Sequence, residues 1–289
     1  MSGLPGFIAT GERYLVAVSG PPASESTSVP SAPPSWRTAV VALVVTLLAG
    51  AAPSFAADPR VAVPAIAVLV AAAVLGRRHL PGQVRDATVL VLALWIFLAV
   101  PSPVLWPLPG LAALLVAGVL AWRRGRWSQW REWLRIGRIG RFAWTMWGLI
   151  VVLTVLGLLT WNHLFDGELP RAYQQLAQDA PVPVATAGAL VFLVINGAIE
   201  DSIWAGVLLS ATERVVPSWL AVGVVAASFG LAHLHGVPGG PVGVVLAGSW
   251  GLVLALLRIR TGGMGATYLA HIAADATIVV MLLPAALGT

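Results

Sequence analysis

Residues 184–209 read VATAGALVFLVINGAIEDSIWAGVLL. The run is long enough to cross a bilayer as a helix, since about 20 apolar residues span a hydrocarbon core. Yet Asn196, Glu200 and Asp201 stand well inside it. An Asp at the centre of a membrane helix costs about 2.5–3.5 kcal/mol on insertion scales, and such groups face a bundle interior or a wet cavity. One stretch therefore sets two expectations: a membrane-spanning helix, and other helices around it that form a polar interior.

Apolar runs on both sides supply those helices. They lie at about 37–55, 61–76, 87–105, 108–122 and 142–161 before it, and at 218–236, 241–257 and 264–283 after it. The 61–76 and 108–122 runs are short; each extends into its flanks or the two pair as a tight hairpin. Hydrophobic residues make up 58% of the chain and charged residues only 10%, against about 25% charged in soluble domains. That composition excludes a soluble domain with a single anchor. The fold class expected is all-α, a polytopic transmembrane helical bundle of about nine spans. The first span also reads as a signal peptide: Arg37, an apolar run, then Pro53-Ser54-Phe55-Ala56, which ends in a small-x-small pattern. Cleavage there would leave eight. Residues 1–35 contain PPASESTSVPSAPP at 21–34, a composition that cannot bury a core and is expected to be a disordered tail. The expected division is 1–35 tail, 36–161 N-terminal transmembrane helices, 162–183 external loop and 184–283 a core of four helices.

Cysteine is absent and the net charge is +5. Disulfides and thiolate chemistry are thereby excluded. The charge does not point to nucleic acid, because the arginines sit in short turns between apolar runs. Arg77, Arg78 and Arg85, then Arg123, Arg124, Arg126, Arg131, Arg135, Arg138 and Arg141, then Arg214, then Arg258 and Arg260 fall in alternate turns, hence on one side. The opposite turns carry Asp58, Asp166, Glu168 and Asp179, with only Arg60 and Arg171. The positive-inside rule then predicts an integral, multi-pass protein with a cytoplasmic N-terminus and an external C-terminus, facing an anionic cytoplasmic leaflet. Within 123–141, Arg124, Arg131, Arg135 and Arg138 share one helical face and Trp127, Trp130 and Leu134 a neighbouring one. That suits either a helix lying in the interface or a basic loop with interfacial aromatics.

Three of the last four spans carry ionisable groups. Asn196 and Glu200 are four apart and share a face, with Asp201 turned about 100° away. Phe229 and His233 are four apart in the next polar span, and His235, close to Gly236 and Pro238, reads as interfacial. His271 and Asp275 pair in the last span, where the Asp is expected to orient the ring. Gly239, Gly243, Ala247 and Gly251, with Gly223 and Ala227, form stripes that permit close helix packing. At 1.5 Å per residue, Glu200 lies about 15 Å, His233 about 20 Å and His271 about 10–14 Å from the arginine-rich turns. The three are expected to meet in a cavity opening towards the cytoplasm. A carboxylate with two imidazoles suits activation of water: Glu200 as base, His233 orienting the water, His271 with Asp275 bonding the oxygen that gains charge. The readings without chemistry are a polar pair joining helices and buried hydrogen-bonded histidines.

Glu200-Asp201, Phe229-x-x-x-His233 and His271-x-x-x-Asp275, in that order and each in its own span, resemble the motifs Glu-Glu-x-x-x-Arg, Phe-x-x-x-His and His-x-x-x-Asn/Asp of the CPBP intramembrane proteases. That family includes CAAX prenyl endopeptidases and Abi-type bacteriocin-processing or immunity proteins. The resemblance covers about 184–283. It implies an intramembrane endopeptidase acting on a membrane-associated protein or peptide, with Glu200, His233, His271 and Asp275 as catalytic residues and Asn196, Asp201 and Phe229 supporting them. It implies no required cofactor; zinc held by His233, His271 and Glu200 is the alternative. The first motif departs from the family at Asp201, one methylene shorter than Glu, and at Ala205, which replaces the Arg. Without that partner, Asp201 is expected to be protonated or to find another donor. Two further functions stay open on the residues alone: a non-catalytic relative that binds a membrane partner, and a carrier using Glu200 and Asp201 as proton sites.

Overall fold

The computed structural model of the chain describes residues 35–100, 106–165, 175 and 178–287, with side chains described up to 281. Residues 1–34 of the N-terminal tail, the end of the third apolar run and half of the 162–183 loop lie outside the described residues. Among the described residues every regular element is a helix. Each apolar run of the sequence forms one: α1 Trp36–Phe55, α2 Pro59–Leu75, α3 Gly82–Ala99, α4 Leu108–Arg123, α6 Arg141–Phe165, α7 Val182–Glu213, α8 Ser218–Ala232, α9 Gly240–Thr261 and α10 Gly265–Leu287. A short α5, Trp127–Trp133, lies between α4 and α6. The chain is a polytopic helical bundle and an integral, multi-pass membrane protein.

Local sequence sets the helix ends. Ser35 caps α1 by accepting from the Thr38 amide, and Asp58 caps α2 by accepting from the Arg60 amide; both satisfy amides that a helix start leaves open. α9 stops at Gly262, whose φ of 66° suits glycine. Outside, Val63, Leu115, Leu153, Leu156, Val184 and Val245 are exposed. In water such a surface would aggregate; in lipid it is the solvated face.

Helices α1, α3, α6, α7 and α9 are long and apolar enough to cross a membrane. α4 has 16 residues and α8 has 15, or about 24 and 22 Å against a core of about 30 Å. The missing length falls at one place. α4 starts next to Trp106 and α8 stops before His233, and both residues line the same internal cavity. Non-helical backbone at membrane depth is tolerated where it lines such a cavity.

α8 packs on α9 and α1, α10 on α7 and α6, and α3 on α1, α2 and α4. Small residues on both helices set the α8–α9 crossing. A Cβ at Gly230 would lie 2.5 Å from the Val244 carbonyl oxygen of α9, and one at Gly251 would lie 2.9 Å from Phe229 Cβ of α8. Gly223, expected in the same role, has nothing within 4 Å of an added Cβ and takes no part. Hydrogen bonds add to the packing: Ser228 Oγ donates to the Thr46 carbonyl at 2.6 Å and accepts from Trp204 Nε1 at 3.0 Å, and the Thr46 and Thr212 hydroxyls lie 2.9 Å apart. These tie α1, α7 and α8 together. Ser202–Leu208 of α7 forms a π-helical turn, with one residue more than an α-helix would use.

The 123–141 segment corrects one expectation. Trp130, placed at the lipid headgroups by the sequence, is buried, as is Trp133. Both belong to the main core, and Trp130 packs over Gly118 of α4. Arg126 pairs with buried Asp86 of α3 through both Nε and Nη2, with Arg124 at 3.9 Å. After α5 the chain runs extended beside the α9–α10 turn. Arg138 donates its amide to the Thr261 carbonyl, and the Met264 and Gly265 amides donate to the Arg135 and Ile136 carbonyls. Gly137, with φ 79°, and Gly263 meet backbone to backbone there.

Candidate active site

Asn196, Glu200 and Asp201 lie on the last α-helical turns of α7 before the π turn, and all three are buried. His271 of α10 packs directly over Gly197, where an added Cβ would lie 3.1 Å from the His271 Cβ and Cγ. The glycine lets the imidazole sit low among the three polar residues of α7; a Cβ there would push it back by a few tenths of an ångström. His271 Nδ1 is 2.8 Å from Asp201 Oδ1. A carboxylate oxygen accepts, so Nδ1 carries the hydrogen. Nε2 then faces Glu200 Oε2 at 3.3 Å and Asp275 Oδ1 at 3.9 Å. The contact with Glu200 is a close approach only, since Glu200 Oε2 makes no hydrogen bond among the described residues.

The donor that Asp201 lacks through Ala205 is thus supplied by His271. The sequence assigned the orienting role to Asp275, one helical turn away; in the structure Asp201 fills it. Side chains four apart on α10 stack along the helix, whereas Asp201 approaches from a neighbouring helix in the plane of the ring. Asp275 is held instead by Asn196, whose Nδ2 donates to its Oδ2 at 3.1 Å. Asp201 Oδ2 makes no hydrogen bond among the described residues. Asp201, Ala205, Phe229 and Gly251 line a void of about 10 Å³, room for one water at most.

Trp106 joins the cluster from outside the sequence motifs. Its Nε1–H is shared between Asn196 Oδ1 at 2.8 Å and Glu200 Oε1 at 2.9 Å. It thereby fixes which end of the Asn196 amide faces Asp275. Nothing in the residue pattern marks Trp106 apart from its place beside Pro107, before a span too short to cross.

His233 stands apart from these bonds. Its Nδ1 donates to the Phe229 carbonyl at 2.9 Å, which leaves Nε2 of the neutral ring as an acceptor. The Phe229 ring, 4.7 Å from that of His233 and 6.2 Å from that of His271, lies against both. Trp204 packs edge-on against Phe229, and Trp250 edge-on against His271. His235, read as interfacial, is exposed and meets Phe55 edge-on. Among the described residues no three His, Asp or Glu side chains are arranged to hold a metal ion. Both His271 nitrogens face carboxylates, Nδ1 that of Asp201 and Nε2 that of Glu200.

Glu200, His233, His271, Asp275, Asn196, Trp106 and His235 line one cavity of about 1530 Å³ with otherwise mostly apolar walls from α6, α7, α9 and α10. Its direction corrects the sequence reading. The lining includes Pro53, Leu98, Asp179 and His235 to Pro238, all at the ends remote from the arginine-rich turns. Counting residues inward from a turn gives depth, not the side on which the space opens.

Residues 181–277 match the family model described as Type II CAAX prenyl endopeptidase Rce1-like. The match spans about a third of the chain and contains all three motifs. No curated protein and no solved structure matches the chain. Over residues 181–277 the chain is similar to this family, which supports the resemblance to the CPBP intramembrane proteases.

Proposed function

We propose that the protein is an intramembrane endopeptidase that hydrolyses a peptide bond of a membrane-associated protein or peptide, with Glu200, His233, His271 and Asp275 as catalytic residues. The observation that carries this reading is the pairing of Glu200 with His271 on the floor of a large cavity. Glu200 takes a proton from water held at His233 Nε2, and the water oxygen attacks the scissile carbonyl carbon. His271 Nε2 donates a hydrogen bond to the carbonyl oxygen as it gains charge. Asp201 holds the ring for this, and Asn196 keeps Asp275 in place. When the C–N bond breaks, the proton on Glu200 passes to the leaving amine. This chemistry requires no metal, and chelators are expected to leave the rate unchanged. The N-terminus is cytoplasmic and the C-terminus external, with the arginine-rich turns on an anionic cytoplasmic leaflet.

The test compares new protein termini near membrane segments in cells carrying wild type or Glu200→Ala. Termini that vanish in Glu200→Ala while the protein still inserts support the proposal; identical termini refute it. Ala205 in place of the motif Arg favours a second reading, a non-catalytic relative that binds a membrane partner. Under it Glu200→Gln retains the wild-type phenotype; under the first it does not.

A further inference from the structure

The cavity is open on one side of the bundle and closed on the other. Its lining comes from Pro53 at the end of α1, Leu98 at the end of α3, Trp106 before α4, Asp179 before α7 and Val237 after α8. No residue of the arginine-bearing turns at 76–81, 124–140, 214–217 or 258–264 lines it. Between the cluster and those turns the bundle is packed: Val207, Leu208, Leu254, Leu257 and Ala266 are all buried. His271 is only six residues into α10, about 9 Å from the arginine side, yet it faces away from that side. Towards the other side the cavity wall includes Gly157 of α6 and Gly188 of α7, each with open space where a Cβ would stand. A peptide backbone can approach between those two helices.

Loop charge orients this asymmetry. Arginine-rich short turns are retained in the cytoplasm, and four turns agree. We infer that the cavity opens to the extracytoplasmic side, so that its substrate is a peptide segment presented from the outer half of the bilayer. A chain that stays in the cytoplasm does not reach Glu200. The word substrate rests on the endopeptidase reading; the sidedness does not.

The chain has no cysteine, so single-cysteine variants report without background. The experiment labels Asp179→Cys, Val237→Cys, Ile278→Cys and Ser128→Cys with a membrane-impermeant maleimide, in right-side-out and inside-out vesicles. Asp179 and Val237 mark the cavity mouth, Ile278 lines its wall, and Ser128 is exposed on α5 among the arginines. The expected result is that the first three react in right-side-out vesicles and Ser128→Cys in inside-out ones. The reverse pattern, or an Ile278→Cys that reacts only in inside-out vesicles, overturns the inference. Labelling is read whether or not the protein cleaves anything. Failure of the terminus comparison therefore sinks the endopeptidase reading alone, and reversed labelling sinks the sidedness alone.

Discussion

Replacing Trp106 by Phe isolates one hydrogen. The ring that packs beside Trp204, 6.2 Å away, is largely kept, while the N–H shared by Asn196 and Glu200 is lost. Glu200 Oε2 makes no hydrogen bond among the described residues, so the buried carboxylate keeps only its approach to His271. Hydrogen bonds to charged groups contribute about 1.5–3 kcal/mol. At about 1.4 kcal/mol per tenfold, that is a fall of roughly 10- to 150-fold in kcat. The Asn196 amide is also freed to flip, which would turn its oxygen on Asp275. The damage lies in positioning, so KM should change little. The assay is cleavage of a reporter peptide identified from the terminus comparison, with kcat and KM measured separately and melting followed in detergent. Unchanged kcat, or a loss confined to KM, would refute the assignment of Trp106 to the catalytic floor. A large fall in Tm with the loss of activity would show it to be a packing residue only.

Other substitutions probe the remaining links. Asp201→Asn keeps the size but removes the charge facing His271 Nδ1; kcat should fall roughly tenfold, the difference between a charged and a neutral acceptor. Gly230→Val drives a side chain into α9 and should cost about 1–3 kcal/mol by overpacking, seen as a lower Tm, whereas Gly223→Ala should leave Tm unchanged. Arg126→Ala leaves Asp86 buried without its main partner and should cost about 3–5 kcal/mol; Arg124→Ala, at 3.9 Å from the same acid and half-exposed, should cost far less in the same melting assay.

The number and order of the apolar helices were readable because lipid leaves little choice: a long apolar run must be a helix. The helical period likewise showed that Asn196 shares a face with Glu200, and His271 with Asp275. Periodicity describes one helix at a time, however, and says nothing about which helix lies opposite. So it missed that Asp201 reaches His271 across helices, and that Trp106 enters from a span outside the motifs. Trp130 was misplaced for a related reason. An indole beside arginines suits an interface and a core equally well, and packing against other helices decides between them. The short lengths of α4 and α8 were visible in the sequence. That both stop at the same cavity depends on the third dimension.

The π turn after Asp201 has a consequence for insertions and deletions. Seven residues, Ser202–Leu208, occupy a stretch of α7 with wider turns than its flanks. Removing one of them would let the α-helix close up, and everything on one side of the cut would rotate by about 100° relative to the other. Thr212 would turn from Thr46, or the acids from His271. Chain length at this point is therefore under a constraint separate from that on residue identity. Many single substitutions within 202–208 should leave the register intact, while a one-residue deletion should uncouple the acids from the packing that holds them, even if every named side chain of the site were retained.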